Sequence, residues 1–499
     1  MSTSEQAPAA DTPPTGTAPE ATPDHRPTPA PTRRGWWTQL RPLALRLHFY
    51  AGVLIGPFIL VAAVTGLLYT ITPQLENLVY RDELTVPVGT TQVPLSEQVT
   101  AARAAHPDGD ILSVTPPVAD DSSTRVVFSD ATVPADYAMT VFVDPYTGQT
   151  LGQVQSFGQW LGVRAWLDEL HRTLHLGAVG RFYSEIAASW LWVVVLGGLA
   201  LWIGRRRSRR RTLLVPDGTL TGRAKTRSWH AVTGTWVAIG LLALAASGLT
   251  WSKYAGERIG DVRSALDWRT PSVSTDLAAG IGADPAGNPD GHDHHGGMTM
   301  ATGDTVFLAG AGGVGIDGVY AAATAQGLQA PLDITPPADT NAAWTVSENK
   351  RSAPTRYDAI SVDPMTGQVV DRVDFADWPF MAKMTDWVIG AHMGILFGIV
   401  NQLLLAALAV GLLTVMILGY RMWWQRRPTG AAVGRAYPRG ALRRLSPGAL
   451  LLVGGVTAVS TWFVPLLGIS LAVFLAVDVV LGARQRASTT APVNAGRER

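Results

Sequence analysis

The sequence predicts a polytopic α-helical membrane protein in which about four to six transmembrane helices carry two small, related α+β domains outside the cytoplasm. Three observations predict it. Several apolar runs are each long enough to cross a bilayer, arginines bunch at alternate ends of those runs, and the unit from helix through outer domain to helix occurs twice. The 499 residues are 47% hydrophobic with a formal net charge of +1, so the chain has lipid-facing material and no basic excess of the kind that marks a nucleic-acid partner. With no cysteine, disulfides, thiolate metal sites and covalent c-type haem attachment are excluded, and histidine, methionine and carboxylates remain as metal ligands.

Residues 1–40 are rich in Pro, Thr and Ala and read as a disordered cytoplasmic tail. The first apolar run starts only near Leu47 and is long enough to span, so it reads as a retained helix and not as a cleaved signal peptide. Spans are predicted at 47–71, 187–204, 231–251 and 395–420. The last apolar stretch is too long for one crossing, and Pro465 interrupts it, which predicts two short helices at 448–464 and 466–482, as two spans or a re-entrant pair.

Orientation follows from arginine. Arg33, Arg34, Arg41 and Arg46 precede the first span, six arginines fall among the seven residues Arg205 to Arg211 after the second, and Arg421, Arg426, Arg427, Arg435, Arg439, Arg443 and Arg444 follow the fourth. Positive charge stays on the cytoplasmic side. Loops 205–230 and 421–447 and the tail 483–499 are therefore expected inside, and segments 72–185 and 252–394 outside, at a cell or inner membrane. Topology already accounts for the Arg205 cluster, so it needs no DNA.

The internal repeat is the most informative pattern. His48, Gly52, Gly66 and Leu67 recur at one constant spacing as His230, Gly234, Gly248 and Leu249. Val114-Thr-Pro-Pro117 answers to Ile334-Thr-Pro-Pro337, Val143-Asp-Pro-Tyr-Thr-Gly-Gln149 to Val362-Asp-Pro-Met-Thr-Gly-Gln368, and Phe157, Trp160 and Asp168 to Phe375, Trp378 and Asp386. The match is read to end with Leu174-His-Leu-Gly177 against Ala391-His-Met-Gly394. Each outer domain then reads as a short helix, 96–105 or 318–325, followed by strands such as 137–143 and an Asp-Pro-x-Thr-Gly hairpin turn.

Those turns, together with Leu170-His-Arg-Thr-Leu-His-Leu-Gly177 and Trp462-Phe-Val-Pro-Leu-Leu-Gly468 through Asp478, resemble the PepSY-associated transmembrane-helix family over nearly everything after Arg41. The resemblance implies two PepSY-like outer domains and a link to iron acquisition, since some members are haem-containing inner-membrane reductases of ferric siderophores. It implies a b-haem electron-transfer protein in contact with membrane lipid, fed by a quinol or a cytoplasmic reductase and reducing a ferric siderophore or another extracytoplasmic acceptor. The competing class is a non-catalytic membrane protein whose outer domains bind a peptide, a protease or a copper ion.

Histidine is costly in a bilayer unless paired or ligated, and imidazole is the usual axial ligand of b-type haem. Equivalent histidines from two copies can face each other, which predicts two haems, one between His48 and His230 near the inner face and one between His175 and His392 near the outer. Two cofactors would divide a hydrocarbon core of roughly 30 Å into shorter electron-transfer steps. His171, one helical turn before His175, is open among second ligand, propionate partner and plain surface histidine. In the insert 288–300, His292, His294, His295 and Met298 form a ligand set suited to copper or another late transition metal, or else a linker of low complexity. Gly310-Ala-Gly-Gly-Val-Gly315 has the spacing of a dinucleotide loop, but it lies outside the cell in a repeat that is not βαβ, and it reads as loop.

Overall fold

The computed structural model describes residues 36–205, 213–277, 313–427 and 440–489. Four helices are long and apolar enough to cross a membrane: α7 (Gly177–Arg205), α8 (Gly222–Thr250), α12 (Gly398–Trp424) and the segment Pro465–Arg484 of α14 (Pro465–Thr489). A fifth apolar segment passes the same test only as a bent pair of helices. The expected straight span at 47–71 is instead α1 (Trp36–Leu54) and α2 (Gly56–Tyr69), set at 59° to each other. Pro57 has no N–H to give to the turn before it, so the helical ladder stops at Ile55 and restarts with proline in its first turn. The bend brings Gly56 against α12, where an added Cβ would lie 2.6 Å from the Tyr420 hydroxyl.

The last apolar stretch breaks where Pro465 predicts. α13 (Pro447–Phe463) ends just before it and α14 begins on it. At 17 residues α13 is short for an apolar helix; a rise of 1.5 Å per residue makes it roughly 25 Å long, slightly less than a hydrocarbon core. Packing is centred on α7, α8 and α12 with α1 and α2, through Ile59, Ala187, Leu191, Val237, Leu241 and Ala245. Only 6% of the apolar window of α12 is buried inside the protein, so Leu403, Leu404, Val410 and Ile417 are left for lipid.

The two sheet-forming segments are fused. Two short helices, α3 (Thr72–Val79) and α4 (Arg81–Leu84), carry the chain from α2 to the sheet. α5 (Leu95–Ala105) then leads into β1 (Ile111–Thr115), β2 (Thr124–Phe128), β3 (Ala138–Val143), β4 (Thr150–Phe157) and β5 (Trp160–Leu161), while α10 (Gly315–Ala325) leads into β6 (Leu332–Thr335), β7 (Trp344–Glu348), β8 (Ala359–Val362) and β9 (Val369–Val373). These strands form one sheet in the order β5-β4-β3-β2-β1-β6-β7-β8-β9. Its centre is the antiparallel β1–β6 seam, where Val114 pairs with Ile334 and the Thr115 hydroxyl donates to Asp333 Oδ1 at 2.8 Å. A single core runs across the seam: Leu95 and Val99 of α5 and Ile316 and Val319 of α10 pack with Val114, Val126, Ile334 and Trp344. The repeat predicts two adjacent domains, yet β1 and β6 would each be an open edge, and pairing them removes both.

The two Asp-Pro-x-Thr-Gly turns are built alike. Asp144 Oδ1 accepts from the Tyr146 N–H at 2.8 Å and Asp363 Oδ1 from the Met365 N–H at 2.7 Å, and Gly148 and Gly367 take φ of 69° and 71°. Positive φ at that place is why the motif ends in glycine. Asp333, the acidic residue that a nucleotide loop would have needed, holds Thr115 and, at 2.6 Å, the Asn349 amide, while residues 310–312 of that loop lie outside the described residues.

Candidate functional site

Four histidines are gathered in two pairs within and just above the bundle. The first pair is His48 on α1 and His230 on α8, with ring centres 6.2 Å apart and planes at 77°. His48 Nδ1 donates to the Val194 carbonyl of α7 at 2.9 Å, and His230 Nδ1 donates to the Val415 carbonyl of α12 at 2.8 Å. A carbonyl only accepts, so in both rings Nδ1 carries the proton and Nε2 keeps its lone pair. Each ring lies against a glycine of the helix that holds it: a Cβ at Gly198 would sit 3.0 Å from His48 Cε1, and one at Gly419 3.4 Å from His230 Cε1.

The second pair is His171 and His392. α6 (Gly162–Thr173) and α11 (Phe380–His392) descend from the sheet toward the bundle and carry these histidines in their last turns. Thr65 Oγ1 lies 2.9 Å from His171 Nδ1, and Ser247 Oγ lies 2.6 Å from His392 Nδ1. Each hydroxyl is also within hydrogen-bond reach of carbonyls of its own helix, Thr65 of Val61 at 2.9 Å and Ser247 of Ala243 at 3.0 Å, and with its proton given there its oxygen accepts from the imidazole. In that arrangement Nδ1–H is donated and Nε2 keeps its lone pair. Gly66 and Gly248 stand behind the rings, with an added Cβ 3.1 Å and 3.5 Å from Cε1. Burial, with Arg172 beside one ring, lowers the His171 pKa to about 4, and burial with the facing His171 lowers that of His392 to about 4. Both are neutral near pH 7.

His171 and His392 line one cavity, about 1470 Å3 of atom-free space with its open mouth included, between α2, α7, α8 and α12. Its walls are mostly apolar, among them Ile59, Ala63, Leu241 and Leu412. Apart from Glu185, the charged lining residues sit at the rim. Arg172 is held by Asp168 at 2.8 Å and Glu169 at 3.0 Å, and Arg181 and Lys253 lie on the same rim. Glu185, buried in the wall, accepts the Tyr254 and Ala255 N–H groups at 3.0 Å each and so caps α9 (Lys253–Ala265). Beside the cavity, burial raises the Asp168 carboxyl above its ordinary range against the pull of Arg172, and it raises Asp386 to about 6 against Arg351 and Arg263.

The expected pairing of His175 with His392 is not what the structure brings together. His175 is exposed, sits at φ 56°, and lays its ring on Trp166 with centres 4.8 Å apart, while His171 takes the place facing the cavity. The difference is one of register. Gly177 and Gly398, at φ of 54° and 55°, open α7 and α12, and His171 and His392 each stand six residues before them. Counting from Asp168 and Asp386 instead overlooks three extra residues between Asp386 and His392 and lands on Leu174, beside His175 and past His171. Sequence patterns alone do not bring out Val194, Gly198, Thr65 or Ser247. Yet Val194 and Gly198 share with Val415 and Gly419 the spacing of Gly177 to Gly398, and Thr65 and Ser247 share that of His48 to His230.

Near the first pair, Arg46 and Asp478 form an ion pair whose side chains are 5% and 1% exposed, tying α14 to α1. His292, His294, His295 and Met298 lie outside the described residues, and among the described residues no group of three His, Asp or Glu is placed to hold a metal.

An α-helical bundle of several apolar crossings with an extramembrane sheet and paired imidazoles defines a multi-pass membrane protein. Residues 45–426 match the family described as the PepSY-associated TM region, and the chain belongs to that family. A search of curated proteins finds no match.

Proposed function

We propose that the protein is a b-haem electron-transfer protein of the cell membrane that reduces a ferric chelate such as a siderophore on the extracytoplasmic side. The observation that carries this reading is the common state of the four imidazoles: each has Nδ1–H engaged and, among the described residues, no hydrogen-bond partner at Nε2. Neutral imidazole with a free Nε2 is the ligating form, and a fixed partner on the other nitrogen is what metal-bound histidines have. His48 and His230 face each other with ring centres 6.2 Å apart.

His48 with His230, and His171 with His392, would each hold one haem, which when bound supplies a one-electron carrier. Arg172, Arg181 and Lys253 on the cavity rim would meet its carboxylates, and the apolar wall would keep water from the iron. We read the four helical glycines as seats that let the imidazoles lie against the neighbouring helix. The arginine asymmetry supports a cytoplasmic N-terminus and an outer sheet. Electrons from a quinol or a cytoplasmic reductase would then cross outward one at a time, reducing chelated Fe(III) to Fe(II), which oxygen-rich chelators hold less well. Reduced-minus-oxidised absorbance of the purified, haem-sufficient protein tests this reading. A reducible b-type spectrum with two haems per chain is expected, and the absence of any would leave the non-catalytic binding protein in its place.

A further inference from the structure

The two pairs differ in what holds Nδ1. For His48 and His230 it is a main-chain carbonyl, which no substitution removes; for His171 and His392 it is a side-chain hydroxyl, joined at His392 by the Leu244 carbonyl. A hydroxyl in an apolar helix ordinarily satisfies itself by donating to the carbonyl four residues back, as Thr65 and Ser247 both do. That habit accounts for the donor half of each contact. It does not account for the acceptor half meeting an imidazole Nδ1 at 2.9 Å and 2.6 Å, twice, on helices distant in sequence.

We infer that Thr65 and Ser247 are positioning residues that lock His171 and His392 in the Nδ1–H tautomer and strengthen Nε2 as an electron donor to iron. The inference rests on the haem reading above. Because each hydroxyl spends its proton on a carbonyl, its oxygen is polarised and accepts more strongly. A hydrogen bond from Nδ1–H gives the imidazole some anionic character, which favours Fe(III) over Fe(II) and lowers the reduction potential of that site. With the hydroxyl gone, the buried Nδ1–H would lose that partner, and the ring would turn toward another acceptor, which for His392 is the Leu244 carbonyl. Gly66 and Gly248, next in sequence to the hydroxyls, leave the rings room to lie over the helix.

The test uses the full-length protein with Thr65→Val and Ser247→Ala, and Thr65→Ser and Ser247→Thr as conservative partners. Spectroelectrochemical titration reads the potentials of the two sites and haem analysis their occupancy. Each hydroxyl-free variant is expected to raise the potential of one site only and to weaken its haem retention about 10–100-fold, while the conservative variants titrate as the wild type. If two haems are present but neither potential nor retention moves, Thr65 and Ser247 are merely self-satisfied hydroxyls and this inference falls alone. Wild-type protein without haem overturns both this inference and the reading beneath it.

Discussion

The His48–His230 pair and the His171–His392 pair are built from different parts of the chain. His48 and His230 belong to long helices of the bundle and lean on main-chain carbonyls of α7 and α12, so any sequence that forms those helices supplies their partners. His171 and His392 ride on α6 and α11, short helices hung from the sheet, and reach into the bundle for Thr65 and Ser247. One pair depends on helix packing alone. The other is placed only when the sheet and the bundle are docked, which on the haem reading would link cofactor binding there to the folding of the sheet.

The largest expected effect breaks the support of the first pair. Arg46→Met leaves the buried Asp478 carboxyl without its cation, and losing one partner of such a pair costs about 3–5 kcal/mol. Thermal unfolding should drop steeply for Arg46→Met, and the double variant Arg46→Met/Asp478→Leu should recover much of the loss. Equal losses in single and double variants would show that the pair does not tie α14 to α1.

A smaller effect sharpens the comparison through the glycine seats. Gly198→Ala puts a methyl 3.0 Å from His48, and Gly248→Ala puts one 3.5 Å from His392, an ordinary contact. On the haem reading, occupancy should therefore fall at the first pair in Gly198→Ala and stay near wild type in Gly248→Ala. The reverse order would mean that the rings do not rest where the structure has them.

The smallest effect is electrostatic and falls beside the second pair. Asp386 is raised by burial to about 6, above the roughly 3.9 of an unfolded chain. Between those values the folded protein binds the extra proton, so stability is lost as pH rises through the window and Asp386 opposes folding at neutral pH. Asp386→Asn should raise the melting temperature, and by more at pH 8 than at pH 5. A gain that is the same at both would mean that the carboxyl's titration is not its source.

Sequence patterns reach the bundle and the sheet unevenly. The spans show because about twenty apolar residues in a row would be too costly to leave in water, and Pro465 shows its break because proline removes a donor. The bend at Ile55 stays hidden even though Pro57 signals it in the same way, since the apolar run continues through it and hydropathy is blind to direction. The joining of β1 to β6 is not legible at all: each half looks complete, and the seam exists only once both are placed. His48 and His230 follow from exact spacing, whereas the motif nearest to His392 points to His175 and leaves His171 open, because three inserted residues displace it. The positive φ of Gly177 and Gly398, which corrects the register, is visible only in the folded chain.

On the haem reading, His171 and not His175 shares an iron with His392. Haem content and the reduced-minus-oxidised spectrum of His171→Ala and His175→Ala, each purified from haem-sufficient cells, test it most directly. His171→Ala should lose one of two haems while the His48–His230 signal persists, and His175→Ala, which removes only an exposed ring stacked on Trp166, should keep both. Loss of a haem in His175→Ala with full retention in His171→Ala would contradict the account.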